Sequence, residues 1–376
     1  MKIAVFFGSG QYNVARFMLD QLADGLAEAG RSVVRIEADS HLCDRIRAVV
    51  LRGVTTVIGY NGFGSDLLDA AAPGPGAAVR FVGWLVDHPA YHALRIDAAP
   101  PSALFCCVDA THLDYMTMFG GNRPSEWLPH FACRVSDDLP HAGGRDVAVL
   151  CPGTYRSSRP QLAEIERWLE PRRGVALDSA AMLTARGGLP VHQAVLSCMK
   201  EASGEAPSQT AVHEIVRAVD GYVRSRRREL CLQSLASAGV RATVCGHVDR
   251  DIPELAGHDI LPACDGPALV RLMQRARVVV DPGAGFVRGG HERGLTAMAA
   301  GAALVCERNA FWSAEFTDGQ DYLGFAWDDV AAMGVRVRSV LEQHDTCAAM
   351  ANHALGLVER RHLAVHRAER LLQFLR

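Results

Sequence analysis

Residues 281–301 of the chain read DPGAGFVRGGHERGLTAMAAG. An apolar run before Asp281 predicts a strand that ends there, and the periodicity after Gly290 predicts a helix that ends near Gly301. The loop between the strand and the helix is rich in glycine: Gly283, Gly285, Gly289 and Gly290. Glycine lets the backbone approach a ligand closely, and the free N–H groups and dipole of a helix start attract anions. The stretch therefore predicts a strand–loop–helix unit with an anion-binding turn.

Charged side chains at this turn are candidates for binding a nucleotide. Arg288 or Arg293 could donate charge-assisted hydrogen bonds to a phosphate. Glu292 could accept hydrogen bonds from ribose hydroxyls. The alternative interpretation is an ordinary βα loop whose glycines serve only packing. The residues that we assign to the candidate site are Gly289, Gly290, His291, Glu292 and Arg293.

The alternation of strand and helix extends outwards over the whole chain. KIAVFF at 2–7, a glycine-containing turn, an amphipathic helix over 14–29 and SVVRIE at 32–37 form one βαβ unit. Such a unit is typical of a parallel sheet that is covered by helices. Nearly continuous apolar runs predict further strands at 55–60, 79–86, 103–109, 146–151, 240–247 and 278–283.

A polar, turn-forming segment at 137–145 indicates a domain boundary. We therefore expect an α/β protein with two Rossmann-like domains, 1–140 and 145–355, that face each other across a cleft. A final helix over 356–376 is expected to pack back on the first domain.

The bulk composition limits the classes of function. The chain has 376 residues, of which 49% are hydrophobic, enough for two domains of roughly 150–200 residues each. A formal net charge of −3 argues against nucleic acid as the main partner. The eleven cysteines form no CxxC pair, and no apolar run approaches the length of a membrane span. We interpret 2–7 as a buried strand and not as a leader, and we expect a cytoplasmic protein.

The first domain places polar residues after its predicted strands. Asp87 and His88 follow the apolar strand FVGWLV, and ligands of open α/β sheets bind at such carboxyl ends. Either side chain could act as a general base or stabilise developing charge, so both are candidate catalytic residues. The alternative is a structural turn in which His88 caps a helix. Further candidates on this side, assigned to an acceptor, are Gly10, Asn13 and His130.

Other charged segments of the chain each have a functional and a structural interpretation. Gly153 and Arg156 follow the first strand of the second domain, where Arg156 could bind a diphosphate, although a solvated arginine is equally consistent. We expect the arginines within 224–228 to form a solvated helix face. We expect the same of His362 and His366, whose spacing suits a metal but which have no acidic partner motif. No D-x-D motif occurs in a metal-binding context.

Several segments resemble, in their common order, the group 1-like glycosyltransferases that include the spore-maturation CgeB-like family. In the second half these are HERGLTAMAAGAALVCERN at 291–309 and EFTDGQDYLGF at 315–325, preceded by YVRSRRRELCLQSLASAGVRATVCG at 222–246. In the first half they are VARFMLDQLADGLAEAG, FVGWLVDHPAYHALRI, FCCVDATHLDYM and WLPHF. The resemblance implies the GT-B architecture, with the nucleotide-sugar donor on the second domain and an unidentified acceptor on the first.

One position departs from the pattern of related enzymes. Where an E-A-M-A-x-G helix supplies a glutamate to the ribose, this chain has Thr296, so either Glu292 takes that role or the ribose is held differently. The resemblance implies transfer of a sugar without a metal or other cofactor, the arginines and the helix dipole carrying the charge of the diphosphate. Two alternatives remain open: a nucleotide-sugar epimerase or hydrolase of the same fold, and a non-catalytic partner protein that binds a sugar nucleotide.

Overall fold

The structure is a computed structural model that describes residues 1–8, 11–37, 41–67, 79–135, 144–203, 208–283 and 285–376. The chain divides into two compact units, Met1–Cys133 together with Arg361–Arg376, and Arg134–Arg360. Each unit contains a sheet of six parallel strands with helices. The expected α/β class with two Rossmann-like domains is confirmed. Most of the segment interpreted as a domain boundary, 137–143, lies outside the described residues.

The sheet of the first unit has the strand order β2-β1-β3-β4-β5-β6. Its strands are β1 (Lys2–Phe7), β2 (Ser32–Glu37), β3 (Thr56–Tyr60), β4 (Arg80–Leu85), β5 (Leu104–Cys107) and β6 (Ser125–Trp127). Its helices include α1 (Val14–Glu28), α2 (Leu42–Leu51), α3 (Ala93–Ala98) and α4 (His112–Phe119). The central strands are buried on both faces, which explains their continuous apolar sequences. Because the strands are parallel, the segments that follow β3, β4, β5 and β6 meet at one edge.

The sheet of the second unit has the order β12-β11-β10-β7-β8-β9. Its strands are β7 (Val147–Pro152), β8 (Thr243–Cys245), β9 (Asp259–Leu261), β10 (Ala276–Asp281), β11 (Ala303–Glu307) and β12 (Tyr322–Phe325). Its helices include α5 (Ser158–Glu166), α6 (Arg172–Ala185), α7 (Val191–Ser203), α8 (Gln209–Ser237), α9 (Gly266–Arg275), α10 (Glu292–Ala299), α11 (Ala310–Glu315), α12 (Val330–Glu342) and α13 (His344–Arg361). In this order β7 and β10 are neighbours at the centre, so the segments that follow them lie side by side.

The long helix α8 corrects the expectation of a solvated arginine face. Arg227 and Arg228 are only 5% and 8% exposed. Arg227 Nη2 donates to the carbonyls of Leu183 at 2.7 Å and Arg186 at 3.0 Å, and its guanidinium lies 4.5 Å from the ring centre of Trp327. Because α8 packs against α6, α12 and other helices, its basic side chains find carbonyl and aromatic partners instead of water.

The C-terminal segment belongs to the first unit, but the expectation of one helix over 356–376 is wrong. The chain forms α13, which ends at Arg361, and a separate helix α14 (Ala364–Phe374). The helices separate because Leu363 pairs with Ala132 in a parallel bridge, which requires extended backbone. Helix α14 packs closely on α1, where a Cβ at Gly25 would lie 2.7 Å from the carbonyl carbon of Ala364.

His362 lies at the break between these helices. It is buried, although the sequence predicts a solvated side chain. Its exposed fraction is 2%, and Arg367 Nη2 lies 2.8 Å from its Nδ1. Burial, assisted by the positive charge of Arg367, lowers the pKa of His362 to about 3. The neutral ring therefore accepts the hydrogen bond from the guanidinium. No helix in the described part of the chain is long and apolar enough to cross a bilayer.

Candidate functional site

The loop between β10 and α10 is fixed by one asparagine from the neighbouring strand. Asn309 follows β11, and its Nδ2 donates to the carbonyls of Phe286 and Gly289, both at 3.0 Å. Its Oδ1 accepts the Trp312 N–H at 3.0 Å and so caps α11. The glycine-rich loop is thus tied to the carboxyl edge of the sheet.

Packing explains one of the glycines in this loop. A Cβ at Gly290 would lie 2.2 Å from the ring of Phe311, so position 290 has no room for a side chain. Gly283 and Gly285 instead adopt φ angles of +59° and +98°, which favour glycine. At Gly290 the packing interpretation therefore holds, whether or not the loop also binds a ligand.

A chain of polar contacts connects the end of β10 to the first turn of α10. Asp281 Oδ2 lies 3.0 Å from His291 Nδ1, and His291 Nε2 lies 3.1 Å from Arg293 Nη2. Burial alone would raise the pKa of Asp281, but His291, Arg293 and Arg228 outweigh it and hold this pKa well below its ordinary value. Asp281 is therefore an ionised carboxylate that is 1% exposed.

Arg293 joins α10 to the end of β7. Its Nη1 donates to the Pro152 carbonyl at 2.6 Å. A Cβ at Gly153 would lie 2.5 Å from the same nitrogen, and Gly153 has a φ of +148°. The absence of a side chain at Gly153 therefore leaves the space that the guanidinium occupies. Two residues that the sequence singled out separately, Gly153 and Arg293, are brought into contact.

A second guanidinium lies at the same edge. Arg228 Nη1 donates to the carbonyl of Thr154 at 2.9 Å. Burial, assisted by the positive charges of Arg293 and Arg224, lowers the pKa of Arg228 to about 9. Both guanidiniums donate to carbonyls at the end of β7, so two cations lie at this edge of the sheet, in a position that suits an anion.

The other predicted donor residues lie at different depths. The Glu292 side chain is 15% exposed at the first position of α10, with its Oε2 3.1 Å from His291 Nε2. Thr296 is 5% exposed within the same helix. Arg156 is exposed, as the solvated alternative expected.

In the first unit, Asp87 is held by an asparagine that the sequence did not single out. Asn61 Nδ2 donates to Asp87 Oδ2 at 3.1 Å, and Asn61 Oδ1 accepts the Val86 N–H at 2.9 Å. His92 Nε2 lies 3.7 Å from the same carboxylate oxygen. The side chain of Asp87 is 38% exposed, so it remains accessible at the carboxyl end of β4.

His88 adopts the capping role that was the alternative to catalysis. Its Nδ1 accepts the Ala90 N–H at 3.2 Å at the start of a short 3-10 turn. The ring is 5% exposed, and its centre lies 4.7 Å from that of His112 and 4.6 Å from that of Tyr115. His88 is therefore a packed residue, whereas its neighbour Asp87 is open.

Two of the three predicted acceptor-side residues, Asn13 and His130, lie in the described part of the chain. His130 follows β6, is 2% exposed, and packs edge-on against Trp84 with a centroid distance of 6.0 Å. Asn13 has a φ of +54° and precedes α1. Gly10 lies outside the described residues.

Comparison with known proteins covers both halves of the chain. Residues 226–373 match a family model described as glycosyl transferase-like. The HepE protein of Anabaena, solved in complex with UDP and glucose, shares 12% identity over 100% of this chain and 99% of its own, with a TM-score of 0.56. A sucrose-phosphate synthase from Thermosynechococcus elongatus shares 12% identity over 100% and 98%, with a TM-score of 0.53. No curated protein sequence matches the chain.

A third structure points the same way. The DNA-modifying enzyme β-glucosyltransferase shares 9% identity over 99% of both chains, with a TM-score of 0.55. The chain has the GT-B glycosyltransferase fold. At these identities the likeness defines the fold, and the matched family region contains Asp281, His291 and Arg293.

Some of the polar residues on this GT-B scaffold have a signal in the sequence that could have identified them, and others have none. Asp281 and Asn61 each stand at or directly after the end of an apolar strand, and that position is a signal that could have identified them. Arg228 carries no such signal, because its periodic position on a long basic helix also suits a solvated face. Asn309 also follows an apolar strand, but its loop-fixing role depends on contacts with carbonyls distant in sequence.

Proposed function

We propose that the chain is a glycosyltransferase that takes its sugar from a nucleotide-sugar donor. The observation that carries this proposal is the placement of Arg293 at the first turn of α10, against Gly153 and beside a glycine-rich loop. This combination of helix start, backbone N–H groups and guanidinium suits a diphosphate. The match of residues 226–373 to a glycosyl transferase-like family supports the same site.

The diphosphate and the ribose of the donor are each assigned to the side chains whose chemistry suits them. Arg293, with the buried charge of Arg228 behind it, balances the diphosphate that leaves during transfer. Glu292, at the helix start, accepts hydrogen bonds from the ribose, since Thr296 is too deeply buried in α10 for that role. Asp87 of the first unit is the candidate base that removes the proton of the acceptor hydroxyl.

The proposed donor base is uracil. HepE and β-glucosyltransferase were solved with UDP or a UDP-sugar, which makes UDP-glucose the first donor to test. The purified chain should release UDP from UDP-glucose faster when a protein-free extract of cells is added as a source of acceptors. Parallel reactions with GDP-mannose and dTDP-glucose measure the choice of base.

The same assay separates the proposal from its alternatives. Release of free sugar at the same rate without extract indicates a hydrolase, and conversion of the donor into an isomer indicates an epimerase. Tight binding of UDP by calorimetry, with no turnover of any donor, indicates a non-catalytic partner protein. Each of these results would contradict glycosyl transfer.

We also propose that the transfer needs no divalent metal. Within the described part of the chain, no group of three His, Cys, Asp or Glu side chains is arranged to hold an ion. The arginines and the start of α10 supply positive charge in its place. Turnover should therefore survive EDTA, and a complete loss that manganese or magnesium restores would overturn this part of the proposal.

A further inference from the structure

The geometry points to Asp281 as a positioning residue that orients Arg293 toward the donor diphosphate by fixing the tautomer of His291. This inference rests on the proposed nucleotide site, and it concerns a residue that need not touch the ligand. The three side chains form a continuous chain of contacts, 3.0 Å from Asp281 Oδ2 to His291 Nδ1 and 3.1 Å from His291 Nε2 to Arg293 Nη2.

The ionised carboxylate determines which nitrogen of the ring carries the proton. A carboxylate can only accept hydrogen bonds, so His291 Nδ1 must be the protonated nitrogen that donates to Asp281. In the neutral ring, Nε2 then presents a lone pair, which accepts the N–H of Arg293 Nη2. Burial of the ring and its contact with Phe286, at a centroid distance of 5.7 Å, hold the ring plane in place.

The opposite tautomer would favour a different partner. With the proton on Nε2, the ring would donate to Glu292 Oε2, which lies 3.1 Å away, and Arg293 would lose an acceptor. The guanidinium would then keep its hydrogen bond to the Pro152 carbonyl and its ion pair with Glu292, whose Oε1 lies 3.6 Å from Arg293 Nε. Asp281 therefore selects the ring state that gives Arg293 a further hydrogen bond, at Nη2.

Electrostatics alone makes the opposite prediction about Asp281. A buried carboxylate beside an anion site repels a diphosphate, so removing its charge should strengthen nucleotide binding. Positioning through His291 predicts that removing the carboxylate weakens binding. The sign of the change therefore distinguishes the two roles.

The test is calorimetric titration of UDP into Asp281→Asn, which preserves the size of the side chain. The amide can donate to His291 Nδ1 and so reverse the tautomer. We expect UDP affinity to fall about fivefold to tenfold, less than the loss of a whole charge-assisted bond, because Arg293 is still present but loses one of its contacts. Asp321→Asn is the matched control, because Asp321 is also a buried aspartate beside a histidine, His353. Asp321 lies elsewhere in the unit, where its Oδ2 accepts the Thr317 N–H. Its affinity should equal that of the unchanged protein.

Two further measurements separate positioning from a general structural effect. His291→Ala should weaken UDP binding by a similar factor, and Asp281→Asn should then add no further loss in that background. Nitrogen-15 spectra of labelled histidine should show the His291 proton on Nδ1 in the unchanged protein and on Nε2 in Asp281→Asn.

The outcomes also distinguish this inference from the proposed function. Unchanged or tighter UDP binding by Asp281→Asn, or the same tautomer in both proteins, would overturn the role of Asp281. Failure of the unchanged protein to bind UDP would contradict the proposed uridine donor, while the tautomer measurement would still test the Asp281–His291 relationship.

Discussion

The backbones of Gly153 and Gly246 are in contact at the carboxyl ends of β7 and β8. A Cβ at Gly246 would lie 1.8 Å from the carbonyl oxygen of Gly153, and Gly153 N–H donates to the Cys245 carbonyl at 2.9 Å. A Cβ at position 153 would also meet Arg293. The two glycines therefore allow the ends of β7 and β8 and the guanidinium to approach one another closely.

Gly246→Ala should therefore destabilise the protein and disturb the β7 turn. We expect the free energy of unfolding to fall by about 3 kcal/mol, because a methyl group would meet backbone that cannot move aside. Urea denaturation measures this change. The control is Gly257→Ala, which shares a positive φ, +89°, but has open space around the added Cβ. Its loss should be about 1 kcal/mol, and equal losses in both variants would show that the contact with Gly153 is unimportant.

Arg293→Ala should weaken binding of UDP by about 1.5–3 kcal/mol, which is typical of a lost hydrogen bond to a charged group. The expected loss comes from the missing guanidinium at the start of α10. Calorimetric titration measures the affinity. Arg275→Ala provides a matched loss of positive charge, since Arg275 precedes β10 at the opposite edge of the same sheet and pairs with Asp146. If both variants bind UDP as the unchanged protein does, Arg293 lies outside the nucleotide site.

Asp87→Ala and His88→Ala should have different consequences. Asp87 is accessible, so its loss should reduce turnover about 100-fold or more with UDP affinity nearly intact. His88 is buried and caps a turn, so its loss should lower the melting temperature. Turnover per folded molecule should be higher in His88→Ala than in Asp87→Ala. Turnover and thermal denaturation are measured on both variants. Near-normal turnover of both would exclude this pair from catalysis.

Protonation of His362 should make the protein less stable as the pH falls. Its pKa in the folded state, about 3, lies below the ordinary value of 6.5, so the folded state excludes a proton that the unfolded chain binds. Its stabilising contribution is present above pH 6.5 and is lost as the pH falls from 6.5 toward 3. At pH 5 the loss should be about 2 kcal/mol.

The measurement is urea denaturation at pH 7 and pH 5. His362→Asn keeps an acceptor for Arg367 but does not titrate, so its stability should fall by about 2 kcal/mol less between these pH values. His353→Gln is the control, because His353 is 59% exposed in its side chain. A pH dependence that is the same in all three proteins would contradict the burial argument.

The amino-acid sequence by itself predicted most of the strands of both sheets, although not the three-residue strands β6 and β9. The run 278–280 and the glycines after it identify β10 and its loop, because a strand buried on both faces must be apolar and a close approach requires glycine. The positions of Asp87 and of the glycine-rich loop before α10 followed from the rule that parallel strands end at a common edge. These properties depend on neighbours a few residues away, which a sequence pattern records.

Only the tertiary structure decided which polar residues are buried and what they contact. Arg293 contacts Pro152 across 141 residues of chain, and Arg228 contacts Thr154 across 74. The sequence predicts a solvated His362, because a histidine in a predicted helix is not by itself evidence of burial. The contact with the Arg367 guanidinium is visible only in the structure. A charged side chain is exposed by default because burial costs several kcal/mol unless a partner compensates. That partner comes from a distant segment, so its presence depends on the folded arrangement of the whole unit and not on the local sequence.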